Sequence, residues 1–337
     1  MWLRDNIPSG RHRNEGQRTF DITELPSVEI RDVRLANDQV TIAFGDIEDT
    51  FLGDWLRHFD FGLADAGVTP TPTLWDASFQ DGISFAEYKI LHEDRGALLP
   101  WLEHVRDWGF ALLTGTPAQP GTVEEVVGLF GHVRETNYGR VFDVVVEPDP
   151  ANLANTAGRI GMHTDNPYRE PVPGLQLLHC IVNDSEGGES QLCDGFRVAE
   201  QLSHDHPDAF RLLTTHPVCF RYLDEGQADI QSYRPLIELD SLGRVMAIRY
   251  NSRSASAFDM PADVIADFYD AYRLLGQSLN HPAARIEFRL EPGQLMIFDN
   301  QRILHGRSSY QQGHRHLQGC YADKDALHSA IRVLQAR

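Results

Sequence analysis

Cysteine is scarce in this chain of 337 residues, which contains four of them and no Cys-x-x-Cys pair. Cysteines spaced this widely argue against a disulfide framework. We therefore expect reduced, buried thiols in a cytoplasmic protein, at Cys180, Cys193, Cys219 and Cys320.

The chain also has few positively charged residues and no long apolar run. The 30 lysines and arginines stand against 49 aspartates and glutamates, so the formal net charge is −19. Nucleic acids and anionic membranes require a basic face, and neither is expected as a partner. The longest apolar run, 175–182, is interrupted by Gln176 and His179 and cannot span a bilayer. Residues 1–18 are polar and do not resemble a signal peptide.

Several widespread catalytic motifs are missing as well. The sequence has no G-x-G-x-x-G after a strand, no G-x-x-x-x-G-K-[ST], no H-E-x-x-H and no G-x-S-x-G. These absences argue against dinucleotide-binding, P-loop, zinc-protease and serine-hydrolase sites of the usual kinds.

Short apolar runs of strand length dominate the rest of the chain. Such runs lie at 141–146, 175–182, 245–250, 285–290 and 294–298. One long helix is predicted at 262–279. Many short strands with a few helices favour an α+β fold with a barrel or sandwich core. Because 64–82 is rich in Pro, Gly and Thr, we expect a small β-rich N-terminal domain and linker at 1–82, and a larger domain at 83–337.

Local signals predict further elements. The run FDITEL, from Phe20, is expected to be a strand, and Asn37-Asp38 is expected to form a hairpin turn. A helix is predicted at 98–107, ahead of a strand at 109–115. Thr122 and Glu125 match a capping box at the start of another helix.

One set of side chains has the composition of a metal-binding site. His163 and Asp165 are two residues apart, so on an extended segment both point to one side and can bind one ion. His305 would complete a set of two histidines and one carboxylate, which is typical of non-haem Fe(II) oxygenases. Arg315, on a strand ten residues later, would bind the distal carboxylate of a chelating keto acid. A zinc hydrolase uses the same three ligand types, so that alternative stays open.

Six longer stretches carry a family resemblance. They are WLRDN (2–6), HTDNP (163–167), PGLQLLHCI (173–181), GGESQLCDGF (187–196), FDNQRILHGRSSY (298–310) and RHLQGCYAD (315–323). In this order they resemble the Fe(II)/2-oxoglutarate dioxygenases of the γ-butyrobetaine and trimethyllysine dioxygenase group, within the taurine-dioxygenase-like superfamily. The resemblance implies a double-stranded β-helix (jelly roll) that binds iron, preceded by a small N-terminal domain.

The resemblance also assigns roles to the cluster. It implies that His163, Asp165 and His305 bind Fe(II). Arg315 would bind the distal carboxylate of the cosubstrate 2-oxoglutarate, with Ser190 and Leu178 beside it. Dioxygen would be the other cosubstrate, and ascorbate is expected to support activity.

Further residues correspond to the family's substrate site. Tyr138, Phe142 and Tyr321 stand at positions whose aromatic faces enclose a trimethylammonium group. Asn152 and Asn251 correspond to positions that bind the acidic end of the substrate.

The chain departs from its relatives at several of these positions. Asn155 and Asn166 stand where relatives carry tyrosines, and Arg253 adds a positive charge close to Asn251 in sequence. We expect all three to contact the substrate. No structural zinc is expected, because the positions of its family ligands hold Ile7, Ser9, His12 and Ile47.

The sequence therefore predicts hydroxylation of a small trimethylammonium zwitterion, with γ-butyrobetaine, which gives carnitine, as the first candidate. The phosphonate analogue 2-(trimethylammonio)ethylphosphonate is the close alternative, motivated by Arg253 and the Tyr-to-Asn changes. A zinc-type metallohydrolase and a non-catalytic quaternary-ammonium binder are the alternatives from other classes. Relatives are often homodimers, and the amphipathic segment 326–337 favours that state here.

Overall fold

The computed structural model describes residues 1–13, 16–59, 71–146, 156–311 and 313–336. The chain divides into two compact units, Met1–Pro70 and Thr71–Arg337. The division therefore falls before residue 82, where the sequence-based boundary was expected. Trp75 explains the difference, because its indole Nε1 donates to the Trp108 carbonyl oxygen at 2.8 Å within the second unit.

The N-terminal unit contains a small antiparallel sheet. Its elements are α1 (Trp2–Asp5), β1 (Ile30–Ala36), β2 (Gln39–Phe44), β3 (Ile47–Leu52) and α2 (Gly53–His58), with 3-10 turns at Pro8–Gly10 and Ile22–Glu24. The strand order is β1-β2-β3. Asn37 and Asp38 have φ of 51° and 59°, which suits a tight hairpin turn and confirms that prediction.

The prediction of a strand at FDITEL is wrong. Asp21 accepts a hydrogen bond from the Thr23 backbone N–H at 2.8 Å and caps the 3-10 turn that follows. A short acidic side chain that bonds to its own backbone in this way favours a turn over an extended strand.

The second unit contains seven helices and seventeen strands among its described residues. The helices are α3 (Tyr88–Glu93), α4 (Arg95–Trp108), α5 (Thr122–Gly128), α6 (Gly195–Asp205), α7 (Pro207–Thr215), α8 (Ile265–Leu279) and α9 (Lys324–Gln335). The first strands are β4 (Phe85–Glu87), β5 (Phe110–Thr114), β6 (Val133–Arg134), β7 (Phe142–Val145), β8 (Ile160–His163), β9 (Leu175–Asn183), β10 (Glu186–Gly187) and β11 (Ser190–Asp194). The remaining strands are β12 (Val218–Asp224), β13 (Ala228–Arg234), β14 (Ile237–Leu239), β15 (Val245–Ile248), β16 (Arg285–Phe288), β17 (Leu295–Asp299), β18 (Ile303–Arg307), β19 (Tyr310–Gln311) and β20 (Arg315–Ala322).

Two sheets form the core of this unit. The larger has the order β4-β5-β17-β9-β20-β6, with β7 also paired to β20, and the smaller has the order β16-β11-β18-β8. Leu178 and Met296 of the larger sheet share one buried apolar cluster with Leu192 and Ile286 of the smaller. Apolar faces that pack together in this way make a double-stranded β-helix. The predicted α+β jelly-roll fold is confirmed.

The structure confirms two of the predicted helices and corrects one predicted cap. The helix expected at 98–107 is α4, and the long helix expected at 262–279 is α8. The capping box is wrong, because Gly121 is the N-cap of α5 with φ of 91° and provides no side-chain bond. The Thr122 hydroxyl instead donates to the Pro117 carbonyl oxygen at 3.0 Å.

The C-terminal helix α9 uses its apolar face within its own chain. Leu327 and Ile331 are buried in the cluster that also contains Leu102 and Val105 of α4. Leu327 and Ile331 are therefore already covered within the chain, and the homodimer stays a prediction. No helix in the described ranges is long and apolar enough to cross a membrane.

A buried ion pair joins the two sheets to the helices. Arg302, in the turn between β17 and β18, donates from Nε and Nη2 to both carboxylate oxygens of Asp194 at 3.1 and 2.8 Å. Its other N–H groups reach the carbonyl oxygens of Asp107 and Thr73 at 2.8 and 2.6 Å. Asp194 in turn accepts from the Phe196 N–H at 3.0 Å and caps α6. The side chains are 2% and 0% exposed.

Breaking this ion pair is expected to lower the free energy of unfolding strongly. In Asp194→Asn, the Arg302 charge stays buried without a carboxylate, and we expect the free energy of unfolding to fall by about 3–5 kcal/mol. Asp229→Asn is the matched control, because it breaks the exposed Arg221–Asp229 pair and is expected to change little. Chemical denaturation measures both variants. Equal losses in the two would contradict the prediction.

Candidate active site

A cavity of about 540 Å³ opens within the jelly roll. Twelve of the fourteen residues predicted for the site line it: Tyr138, Phe142, His163, Asp165, Asn166, Leu178, Ser190, Asn251, Arg253, His305, Arg315 and Tyr321. Asn152 and Asn155 lie outside the described residues. The residues predicted from the sequence therefore come from segments far apart in the chain that share one cavity.

Three of these side chains form a candidate metal centre on the smaller sheet. His163 ends β8 and lies opposite His305 of β18 in the antiparallel register, and Asp165 follows two residues after His163. The Asp165 Oδ1 atom lies 3.3 Å from His163 Nε2 and 3.9 Å from His305 Nε2. One ligand atom from each residue lies within 4.8 Å of the others, which fits a single divalent ion.

Hydrogen bonds orient two of the ligands. The Nδ1 atom of His163 lies 3.0 Å from the Gly161 carbonyl oxygen, which can only accept, so Nδ1 carries the proton. This tautomer leaves the Nε2 lone pair available to a metal. The Tyr321 hydroxyl donates to Asp165 Oδ2 at 2.8 Å, so Oδ1 is the oxygen that faces both histidines.

Asn300 fixes the backbone at Asp165 and was missed from the sequence. Its Oδ1 accepts from the Asp165 N–H at 2.7 Å, and its Nδ2 donates to the Asp165 carbonyl oxygen at 3.0 Å. The same Nδ2 donates to the Pro173 carbonyl oxygen at 3.1 Å, and the side chain is fully buried. Its place five residues before His305, within the FDN stretch, was the available signal.

Burial dominates the electrostatics of the triad. It lowers the pKa of His305 to about 3, and the neighbouring His163 adds to that shift. Burial alone would raise the pKa of Asp165, but its bond to His163 and the proximity of His305 hold that pKa well below the ordinary value. His305 is therefore neutral and Asp165 ionised at neutral pH, which are the forms that bind a metal.

Arg315 lines the cavity and has no acidic partner within the described part of the chain. Its side chain starts β20, is 4% exposed, and its Nε has no hydrogen-bond partner among the residues that the structure describes. Burial, with Arg307 nearby, lowers its pKa to about 10, so it remains charged at neutral pH. A buried guanidinium that lacks a carboxylate fits an anionic ligand that supplies one. Ser190 and Leu178 line the same cavity and are both buried.

Aromatic rings form another wall of the cavity. The Phe142 ring lies 5.1 Å from Tyr321 and 6.5 Å from Tyr138, measured between ring centroids. Tyr168 and Tyr222 extend this wall and were missed from the sequence. Their rings stack at 5.3 Å, and Tyr222 lies 5.8 Å from Tyr138. Tyr168 follows the HTDNP stretch directly, whereas no sequence signal marked Tyr222.

Polar side chains lie beside the metal-binding segment. Asn251 donates from Nδ2 to the Thr164 carbonyl oxygen at 3.1 Å, and its Oδ1 accepts from the Arg253 backbone N–H at 3.2 Å. The Arg253 side chain lines the cavity and is open to solvent. Asn251 therefore connects the segment that carries Asp165 to the one that carries Arg253.

Comparison with known proteins identifies the family. The sequence model for "Taurine catabolism dioxygenase TauD, TfdA family" matches residues 67–321. The chain belongs to this family. A γ-butyrobetaine dioxygenase from Pseudomonas sp. (strain AK-1) is 37% identical, over 99% of this chain and 90% of that protein. The γ-butyrobetaine dioxygenase of Homo sapiens is 32% identical, over 100% of this chain and 91% of that protein.

Solved structures support the TauD/TfdA fold. An asparagine oxygenase in complex with Fe(II), 2S,3S-3-hydroxyasparagine and succinate superposes with a TM-score of 0.54 at 18% identity, over 69% of this chain and 81% of that one. Family membership decides the alternatives in favour of an Fe(II)/2-oxoglutarate-dependent dioxygenase, over a zinc hydrolase or a non-catalytic binder.

Asn300 generates a prediction about metal affinity. Asn300→Ala removes both bonds to the Asp165 backbone, and we expect Fe(II) affinity to fall about 10- to 100-fold, as for other residues that orient metal ligands. Anaerobic calorimetry with Fe(II) measures the effect on folded protein. Asn6→Ala, which loses a bond to Trp2 in the N-terminal unit, is the control. Unchanged affinity in Asn300→Ala would contradict this role.

Proposed function

We propose that this dioxygenase hydroxylates a small zwitterion with a quaternary ammonium group, and that γ-butyrobetaine, which gives carnitine, is its substrate. The observation that carries the proposal is one cavity that combines a wall of aromatic faces, a buried arginine with no carboxylate partner among the described residues, and a His-Asp-His cluster. Nearly full-length similarity to γ-butyrobetaine dioxygenases supports it.

The residues of the smaller sheet would hold the iron. His163, Asp165 and His305 would bind Fe(II) on one face, and Arg315 would bind the distal carboxylate of 2-oxoglutarate. With both bound, the class couples decarboxylation of 2-oxoglutarate to hydroxylation of the substrate, so one oxygen atom of O₂ enters succinate and the other the product. Ser190 and Leu178 would restrict water around the cosubstrate, because both are buried beside it.

The aromatic wall would bind the quaternary ammonium group. A trimethylammonium ion has no N–H to donate, so the faces of Tyr138, Phe142 and Tyr321 attract it through cation–π interactions. Tyr321 also donates to Asp165, so this ring keeps a fixed position relative to the metal ligands. The rigid connection would set which carbon of the substrate lies next to the iron.

Polar residues near the metal-binding segment would bind the acidic end. Arg253 supplies a positive charge, and Asn251 and Asn166 supply amide groups. Asn152 and Asn155 are proposed as contacts on the basis of the family resemblance. With both ends of the substrate bound, each molecule would enter in one orientation.

A phosphonate is the second candidate for the acidic end. Arg253 adds a full positive charge to the amide groups of Asn251 and Asn166 in the cavity. A dianionic group gains more from such a charge than a carboxylate does. This observation favours 2-(trimethylammonio)ethylphosphonate as the alternative substrate.

Oxygen consumption tests the proposal directly. Iron-loaded protein with 2-oxoglutarate and ascorbate is assayed with γ-butyrobetaine and with the phosphonate. We expect substrate-stimulated uptake with the carboxylate, carnitine as the product, and loss of uptake in His305→Ala. Better turnover of the phosphonate would replace the first candidate with the second. If neither compound stimulates uptake, both substrates are excluded.

Gly319 generates a prediction about the aromatic wall. A Cβ atom there would lie 2.5 Å from the Phe142 ring and 2.8 Å from Leu178, because Gly319 pairs with both residues across β20. Gly319→Ala should displace Phe142 and lower kcat/KM for the zwitterion about 3- to 30-fold, with Fe(II) affinity unchanged. Gly128→Ala is the control, because a Cβ atom at Gly128 would point into open space. Equal kinetics in both variants would contradict the role of Phe142.

A further inference from the structure

Asn166 presents an unpaired donor in the cavity. The residue has φ of 52°, its side chain is 4% exposed, and it lines the cavity next to Asp165. Its Oδ1 accepts from the Tyr168 hydroxyl at 2.5 Å. Its Nδ2 has no hydrogen-bond partner among the described residues. A buried N–H without an acceptor is costly unless a ligand provides one.

Tyr168 links Asn166 to the aromatic wall. Its hydroxyl oxygen lies 3.0 Å from the Tyr138 hydroxyl. Each hydroxyl has one proton, and Tyr168 uses its own on Asn166, so Tyr138 is the donor to Tyr168. The bonds therefore run in one direction, from Tyr138 through Tyr168 to the Oδ1 atom of Asn166.

Arg249 fixes the backbone that carries Tyr168. Its Nη1 donates to the carbonyl oxygens of Pro167 and Arg169 at 3.0 and 3.4 Å, on either side of Tyr168. Its Nε donates to Glu238 at 2.5 Å, and the arginine is buried. The Tyr168 ring, stacked on Tyr222, therefore has little freedom to turn away from Asn166.

We propose that Tyr168 is a positioning residue of the substrate site, which turns the Asn166 amide so that its N–H donates to the oxyanion of the bound zwitterion. This inference rests on the proposed function. An amide has a donor and an acceptor side, and the acceptor side would repel an anion. The Tyr168 hydroxyl occupies the acceptor and leaves the donor for the substrate.

A double-mutant cycle tests the inference. Tyr168→Phe keeps the ring and removes the hydroxyl, and Asn166→Gly removes the amide while allowing the positive φ. Calorimetry without oxygen gives the Kd of γ-butyrobetaine for protein loaded with Fe(II) and 2-oxoglutarate. We expect each single variant to bind about 10-fold more weakly, and the double variant to bind no more weakly than Asn166→Gly alone. Additive losses would show that Tyr168 does not act through Asn166.

A cationic probe separates this role from a general loss of structure. Butyltrimethylammonium has the same head group and no oxyanion, so Tyr168→Phe, which keeps the ring in the aromatic wall, should weaken its binding much less than that of the zwitterion. Equal weakening of the cation and the zwitterion would overturn the inference. Tyr269→Phe, at an exposed position of α8, is the matched control for the substitution.

Failure of the proposed function gives a different result from failure of the inference. If the wild-type protein binds γ-butyrobetaine and the cycle is additive, only the role of Tyr168 is overturned. If it binds only the phosphonate, the same cycle is measured with that zwitterion. If it binds neither, the proposed function is overturned, and the inference with it.

Discussion

The turn between β17 and β18 is the constraint on which the rest of the site depends. Within three residues it contains Asn300, bonded to the Asp165 backbone, and Arg302, paired with Asp194. A fully buried ion pair is stable only when its hydrogen bonds are complete, and those of Arg302 reach two further carbonyl groups. Because β18 begins directly after Arg302, the position of His305 follows from the same bonds.

The metal site could be predicted from the sequence because its three ligands lie in two stretches, HTDNP and FDNQRILHGRSSY, that resemble the family. His163 and Asp165 are two residues apart, and His305 and Arg315 begin or occupy strands of the same jelly roll. Tyr222 carries no such signal, and Asn300 lies in the second stretch but is not one of the usual metal ligands. Asn300 meets Asp165 across 135 residues, so its bonds to that backbone are visible only in the folded chain.

The local errors have a common physical origin. Asp21 and Thr122 were interpreted through general preferences for strands and caps, but each side chain bonds to a nearby backbone group instead. Such bonds involve neighbours in sequence and compete with regular structure. The segment that forms α9 was correctly identified as amphipathic. Amphipathicity alone does not specify whether a helix packs on its own chain or on another chain.

Strand β20 lines the cavity with side chains from its first residue to near its last. Arg315, Leu317 and Tyr321 alternate on its inner side, and at about 3.3 Å per residue the first and last of them are about 20 Å apart. A strand paired on both sides cannot stretch or shorten. The separation of Arg315 from Tyr321 is therefore set by the backbone: with 2-oxoglutarate at the arginine and the ammonium group at the ring, as proposed, one strand would hold the two ligands at a constant distance from each other.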